Sequence, residues 1–130
     1  MSMKEYKNPK IFSDLLALYK MCSKVHEGIP KVFRITVSEK LLSEIIDCMR
    51  LTVLANFKRI SKDEQDSGIR DLKEIRGRVE VIKALMLVAW DFKHYSHGFY
   101  AEVSKKTEEI SKQAASWEKW LVSNLRGELT

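Results

Sequence analysis

Only two prolines and five glycines punctuate the 130 residues, so the chain has little of the material that many short strands and tight turns require. Between those breaks, apolar side chains recur at three- and four-residue steps, the period of a helix with one buried face. Few folds satisfy both conditions. The pattern predicts one all-α domain over residues 1–130, an antiparallel up-down bundle of four helices at approximately 9–28, 36–60, 64–94 and 96–126.

Each helix has start and stop signals. Asn8-Pro9 reads as an N-cap residue followed by proline at the first helical position, where a missing N–H costs nothing. Phe12, Leu15, Leu16, Tyr19, Cys22 and Val25 then share a face, and Gly28 with Pro30 ends the helix. Thr36 to Glu39 has the form of a capping box opening the second helix, with Leu42, Ile45, Met49, Thr52, Val53 and Phe57 turned inward. The third helix carries Ile69, Leu72, Ile75, Val79, Ile82, Met86 and Ala89. The fourth begins near Ser96 with Val103, Thr107, Ile110, Ala114, Trp117, Leu121 and Leu125, and Gly127 is its expected stop. Trp120 lies one step off that seam.

Between Val81 and Trp90 the third helix is apolar on nearly all sides. A bundle helix needs one apolar stripe, so Val81, Leu85 and Val88 are expected to meet a second copy of the chain. No stretch approaches 18 uncharged apolar residues, so no membrane span is expected, and without a signal-peptide pattern the cytoplasm is the default location. Two cysteines, Cys22 and Cys48, make neither a disulfide framework nor a zinc set, and buried reduced thiols are expected.

Sequences that carry out chemistry usually betray it, and the candidates here are thin. Asp91, His94 and His97 have a spacing that superficially suits a metal, yet a di-metal bundle site needs inward carboxylates on facing helices, and the expected core stripes carry none. Cys22 and His26 are four apart on one face, without an evident third group to orient them. There is no glycine-rich phosphate loop. One helical ribonuclease class is marked by arginine followed after four to six residues by histidine, and no arginine precedes His26, His94 or His97 at that distance. No cofactor and no catalytic activity are expected.

The charge is the better lead. Lys and Arg number 23 against 18 Asp and Glu, a formal net charge of +5. Lys58, Arg59 and Lys62 close the second helix, and Arg70, Lys73, Arg76 and Arg78 fall in the first half of the third. A helical hairpin would bring both groups to the same end of the molecule, where they can hold phosphates without reading bases. Neighbouring carboxylates dilute that patch, and a solvated, ion-paired helix face is the competing reading.

The order of signals carries a resemblance. Ile29-Pro30-Lys31 and Arg34 follow the first helix, then Leu41-Leu42 and Leu54-Ala55-Asn56, an arginine-opened helix with Arg70 and Leu72 running into Leu85 through Ala89, and a last helix with Tyr100, Ile110, Gln113 and Trp117. Over roughly residues 11–125 this resembles the bacterial four-helix-bundle superfamily that contains two groups. These are the accessory variability determinant (Avd) proteins of diversity-generating retroelements and the proteins encoded in intervening sequences of 23S ribosomal RNA genes. Ala55 to Arg59 lacks the Glu and Gly usual in the ribosomal group, which favours the Avd branch and leaves the subfamily open. Membership implies a homopentamer with a basic surface that associates with a reverse transcriptase and its template RNA or DNA. Such a protein supports mutagenic copying and performs no chemistry itself.

Overall fold

The computed structural model describes residues 9–129, with side chains through Leu125, and within them the fold is an all-helical bundle of four helices without strands. Helix α1 is Lys10–His26. Helix α2 covers residues 31–58 as an α-helical turn Lys31–Phe33, a π-helical turn Arg34–Ser38 and a long α-helical part Glu39–Lys58. A 3-10 turn, Lys62–Glu64, leads into α3, Gln65–Asp91, and α4 is His97–Leu129. Each helix packs against two others, in the cyclic order α1, α2, α3, α4. No described helix is long and apolar enough to cross a membrane.

Polar contacts record how the helices lie along each other. Lys58 of α2 meets Asp71 of α3, while Arg78, about two turns further on, meets Asp47 and Glu44. Likewise Arg76 reaches Glu118 of α4, Lys83 reaches Glu108, and the Thr107 hydroxyl donates to Met86 Sδ. As numbers rise along one helix of each pair, those of its partner fall.

The core stripes of α3 and α4 are where the periodicity puts them. Ile69 through Ala89 at the expected seven positions are buried, as are Val103, Thr107, Ile110, Ala114 and Leu121, with Trp117 and Leu125 half-buried. Fully buried Leu, Ile and Met side chains of this kind contribute roughly 2 kcal/mol each. In α1 and α2 the buried stripe is rotated by about one position from the expected one. Ile11, Asp14, Leu15, Leu18 and Cys22 face inward in α1, and Leu41, Glu44, Ile45, Cys48, Leu51, Thr52, Ala55 and Asn56 in α2. Phe57, expected inside, is 61% exposed. The true stripe includes Asp14 and Glu44, whose burial is tolerated because cations pair with them there.

Several termini also differ. Asn8 lies outside the described residues. Helix α2 starts at Lys31 behind Pro30 and not at Thr36, whose hydroxyl donates back to Val32 O within the helix, so no capping box forms. Helix α3 stops at Asp91, before His94, because Lys93 takes a left-handed conformation with φ 64°. His94 N–H then bonds Ala89 O and Lys93 N–H bonds Trp90 O, the pattern that closes a helix through a left-handed residue usually filled by glycine. Ser96 Oγ accepts from Phe99 N–H and caps α4, which continues through Gly127 to Leu129.

Candidate nucleic-acid interface

The seven expected cations do not form one patch. Lys58 is largely covered and spends its ammonium on Asp71 and Ser67. Arg78 is clamped by Glu44, Asp47 and Glu74 at 2.9, 3.1 and 2.8 Å, and the hydrogen bonds its guanidinium donates to Glu74 and Glu44 hold its charge more firmly than usual. Arg76 leans to the opposite flank of α3 and pairs with Glu118. These three charges hold helices together. Arg59, Lys62, Arg70 and Lys73 remain exposed; Arg70 has one stretched pair, to Asp66 at 3.5 Å, and Arg59 Nε donates to the neutral Asn56 Oδ1. Among the described residues, Lys62 and Lys73 make no ion pair.

Arg59 leads to a feature that the sequence did not reveal. Lys112, Gln113, Ser116, Trp117 and Trp120 recur at helical steps on one face of α4. That face meets the first turn of α1 and the end of α2 to enclose an open, mostly apolar pocket of about 560 Å³, lined also by Pro9, Lys10, Ile11, Asn56 and Arg59. Its charged lining residues are all cations: Lys10, Arg59 and Lys112. Behind the rim Gln113 Nε2 donates to Asp14 Oδ2 at 2.6 Å, and Lys10 and Lys106 hold the same carboxylate at 3.0 and 3.5 Å. Among the described residues neither Trp117 nor Trp120 donates an indole hydrogen bond or stacks on a ring. The one sequence signal was Trp120, off its seam and now 54% exposed.

The residues expected to meet a second copy are split. Val81 is 43% exposed, whereas Leu85 and Val88 are half-buried. Leu85 lies two turns from Arg78 on the flank whose guanidinium reaches α2, which explains its cover. The more continuous apolar surface runs along α2 and into the turn after it, where Ile35, Ile46 and Phe57 and then Ile60 are exposed and Leu42, Met49 and Val53 half-buried between them.

The groups with catalytic potential are otherwise engaged. Burial pushes the Cys22 thiol up to about 11 and the Cys48 thiol up to about 12, so neither is a thiolate nucleophile near neutrality. His26 Nδ1 shares a 2.7 Å hydrogen bond with Ser38 Oγ, a pair that sequence spacing did not suggest; Ser38 is buried, so it ties α1 to the π-helical turn and cannot meet a substrate. Trp90 Nε1 donates to His97 Nδ1 at 2.9 Å, which puts the proton of neutral His97 on Nε2 and occupies the lone pair a metal would need. The His94 ring packs on Phe33. No three His, Cys, Asp or Glu side chains converge as a metal set among the described residues.

No family model, curated protein or solved structure matches the chain.

Proposed function

We propose that this chain is a non-enzymatic, cytoplasmic accessory subunit of a diversity-generating retroelement, which self-associates and binds template RNA or DNA beside a reverse transcriptase. The observation that carries nucleic-acid binding is the set of exposed cations at the α2–α3 end, Arg59, Lys62, Arg70 and Lys73, adjoining a cation-lined pocket with two indoles that make no ring contact among the described residues. Exposed ammonium and guanidinium groups are what phosphate contact requires, and of these four only Arg70 has a carboxylate partner among the described residues, the stretched pair to Asp66. The retroelement, the polymerase partner and the pentamer rest on the order of residues shared with the Avd proteins. An antiparallel up-down course is supported by the opposed numbering of the contacts between α2 and α3 and between α3 and α4. Self-association is supported by the apolar surface along α2 and at Val81, more than an isolated bundle needs.

Charge reversal tests this reading. Replacing Lys62, Arg70 and Lys73 together with Glu is expected to weaken binding to RNA at least a hundredfold, with helical circular dichroism unchanged. Wild-type affinity should fall with salt at a log–log slope of about −0.7 to −0.9 per phosphate neutralised. Unchanged affinity in the triple variant would remove the nucleic-acid assignment. A reverse-transcriptase gene and template repeat beside this one would support the retroelement; a position inside a ribosomal RNA gene would favour the intervening-sequence branch instead.

A further inference from the structure

We propose that the pocket between α1, α2 and α4 is a site for one unpaired nucleotide of a single strand, with the base on the Trp117–Trp120 surface and its phosphate between Arg59, Lys10 and Lys112. This rests on the nucleic-acid reading above and adds to it a strand preference, which the exposed cations alone do not supply.

Chemistry and geometry commit the pocket to that occupant. Its volume of about 560 Å³ fits a nucleotide, and its surface is mostly apolar, so the ligand must bring a flat apolar part. Three cations and no carboxylate among the described lining residues favour an anionic group on that ligand as well; Lys10 also holds Asp14 behind the rim, which leaves Arg59 and Lys112 as the cations without an ion pair among the described residues. Trp117 and Trp120, three residues apart on one face, offer an aromatic surface that makes no ring contact among the described residues. Stacking on such a surface is tolerant of base identity, because every base has a π-face. The amides of Asn56 and Gln113 sit at the same wall; both also serve the protein, Asn56 accepting from Arg59 and Gln113 donating to Asp14. They fix the positions of the pocket's cations more than they read an edge. A base inside a duplex is stacked on its neighbours and cannot enter, so the site selects single strands.

The experiment is fluorescence anisotropy of a labelled single strand of about twelve nucleotides, the size of a typical site, and of a duplex of equal length. The protein is wild type, Trp120→Ala and Lys62→Glu/Lys73→Glu. Trp120 is half-exposed, so its truncation leaves the bundle folded, which thermal melting verifies. Trp120→Ala is expected to weaken single-strand binding about tenfold and duplex binding less than twofold. The double charge reversal is expected to weaken both alike. Equal affinity of Trp120→Ala and wild type for the single strand, or an equal loss on the duplex, would overturn the pocket assignment while leaving the cationic surface intact. Wild type binding neither nucleic acid would overturn both readings. Inorganic polyphosphate competing as well as the single strand would also overturn the pocket, because it has no base to stack.

Discussion

The two ends of the bundle use aromatic residues in opposite ways. Where α3 turns into α4, rings satisfy each other: Trp90 stacks on Tyr100 at 4.9 Å and donates to His97, Phe33 packs on His94 and Phe92, and Tyr95 meets Phe99 edge-on at 4.7 Å. The buried Tyr95 hydroxyl lies against the Cys22 thiol, and burial raises its pKa far above the ordinary phenol value. Where α2 turns into α3, Trp117 and Trp120 face a pocket beside three cations and make no ring contact among the described residues. Rings that spend their faces and donors on one another are structure. An indole left exposed, as Trp120 is, next to Arg59 and Lys112, which make no ion pair among the described residues, is a surface for something else, since a half-exposed tryptophan brings little stability to the monomer that displays it.

That contrast predicts a reversal between stability and binding. Trp90→Ala removes a stacked ring and the donor that orients His97, and is expected to cost about 2 to 3 kcal/mol of unfolding free energy in urea titration. Its effect on nucleic-acid affinity should be small. Trp120→Ala should cost less than about 0.5 kcal/mol, as for an exposed substitution, and do its damage to binding. Equal stability losses at the two sites would erase the distinction.

Asp14 sharpens the comparison from the open end, because it is the carboxylate that holds Lys10, one of the pocket's three cations, together with Lys106 and Gln113. Burial pushes its carboxyl upward, but the hydrogen bond from Gln113 and the charges of Lys10 and Lys106 outweigh that and hold it below the usual aspartate range. A group depressed in the folded state stabilises above its unfolded pKa, about 4, and loses that contribution as pH falls through the lower folded value. Asp14→Asn is therefore expected to cost roughly 1 to 2 kcal/mol at neutral pH, the worth of charge-assisted hydrogen bonds to a partly buried group. The difference from wild type should shrink as melts are run from pH 5 towards pH 3. A gap that is constant with pH would mean that shape, and not charge, holds Asp14.

How much of this could be read from the sequence depends on what each residue had to know. In α3 and α4 the apolar residues keep one near-heptad register, even where α3 is apolar on nearly all sides after Val81, so Ile69 to Ala89 and Val103 to Leu121 announce their burial. In α1 and α2 apolar residues crowd two adjacent registers, Leu15 beside Leu16 and Leu41 beside Leu42. The true stripe holds Asp14, Glu44 and Asn56, polar residues whose partners lie nearby or far along the chain. A local pattern could not choose between those registers. The basic cluster was visible as composition, but Arg78 is consumed by Glu44 and Asp47, about thirty residues away, and only packing shows that. Lys10, Arg59 and Lys112 meet at a pocket for the same reason, and Trp120 alone hinted at it by missing its seam.

The saturated end also holds the one positive φ among the described residues, and it yields the smallest predicted effect. Lys93 has φ 64°, and no other described residue outside glycine has a positive φ. A side chain there crowds its own carbonyl, at a cost of roughly 1 kcal/mol, accepted because the turn lets His94 and Lys93 close the end of α3. Glycine would remove that crowding but adds freedom to the unfolded chain, so the two effects partly cancel. Lys93→Gly is expected to raise stability by about 0.5 kcal/mol, and Lys93→Val, branched at Cβ, to lower it by more than about 1 kcal/mol. The pair separates conformational strain from loss of the lysine charge, because both variants delete the charge and only one relieves the strain. Equal shifts in the two melts would show that the charge governs this corner, and the rings around it would no longer be the whole account of why this end is closed.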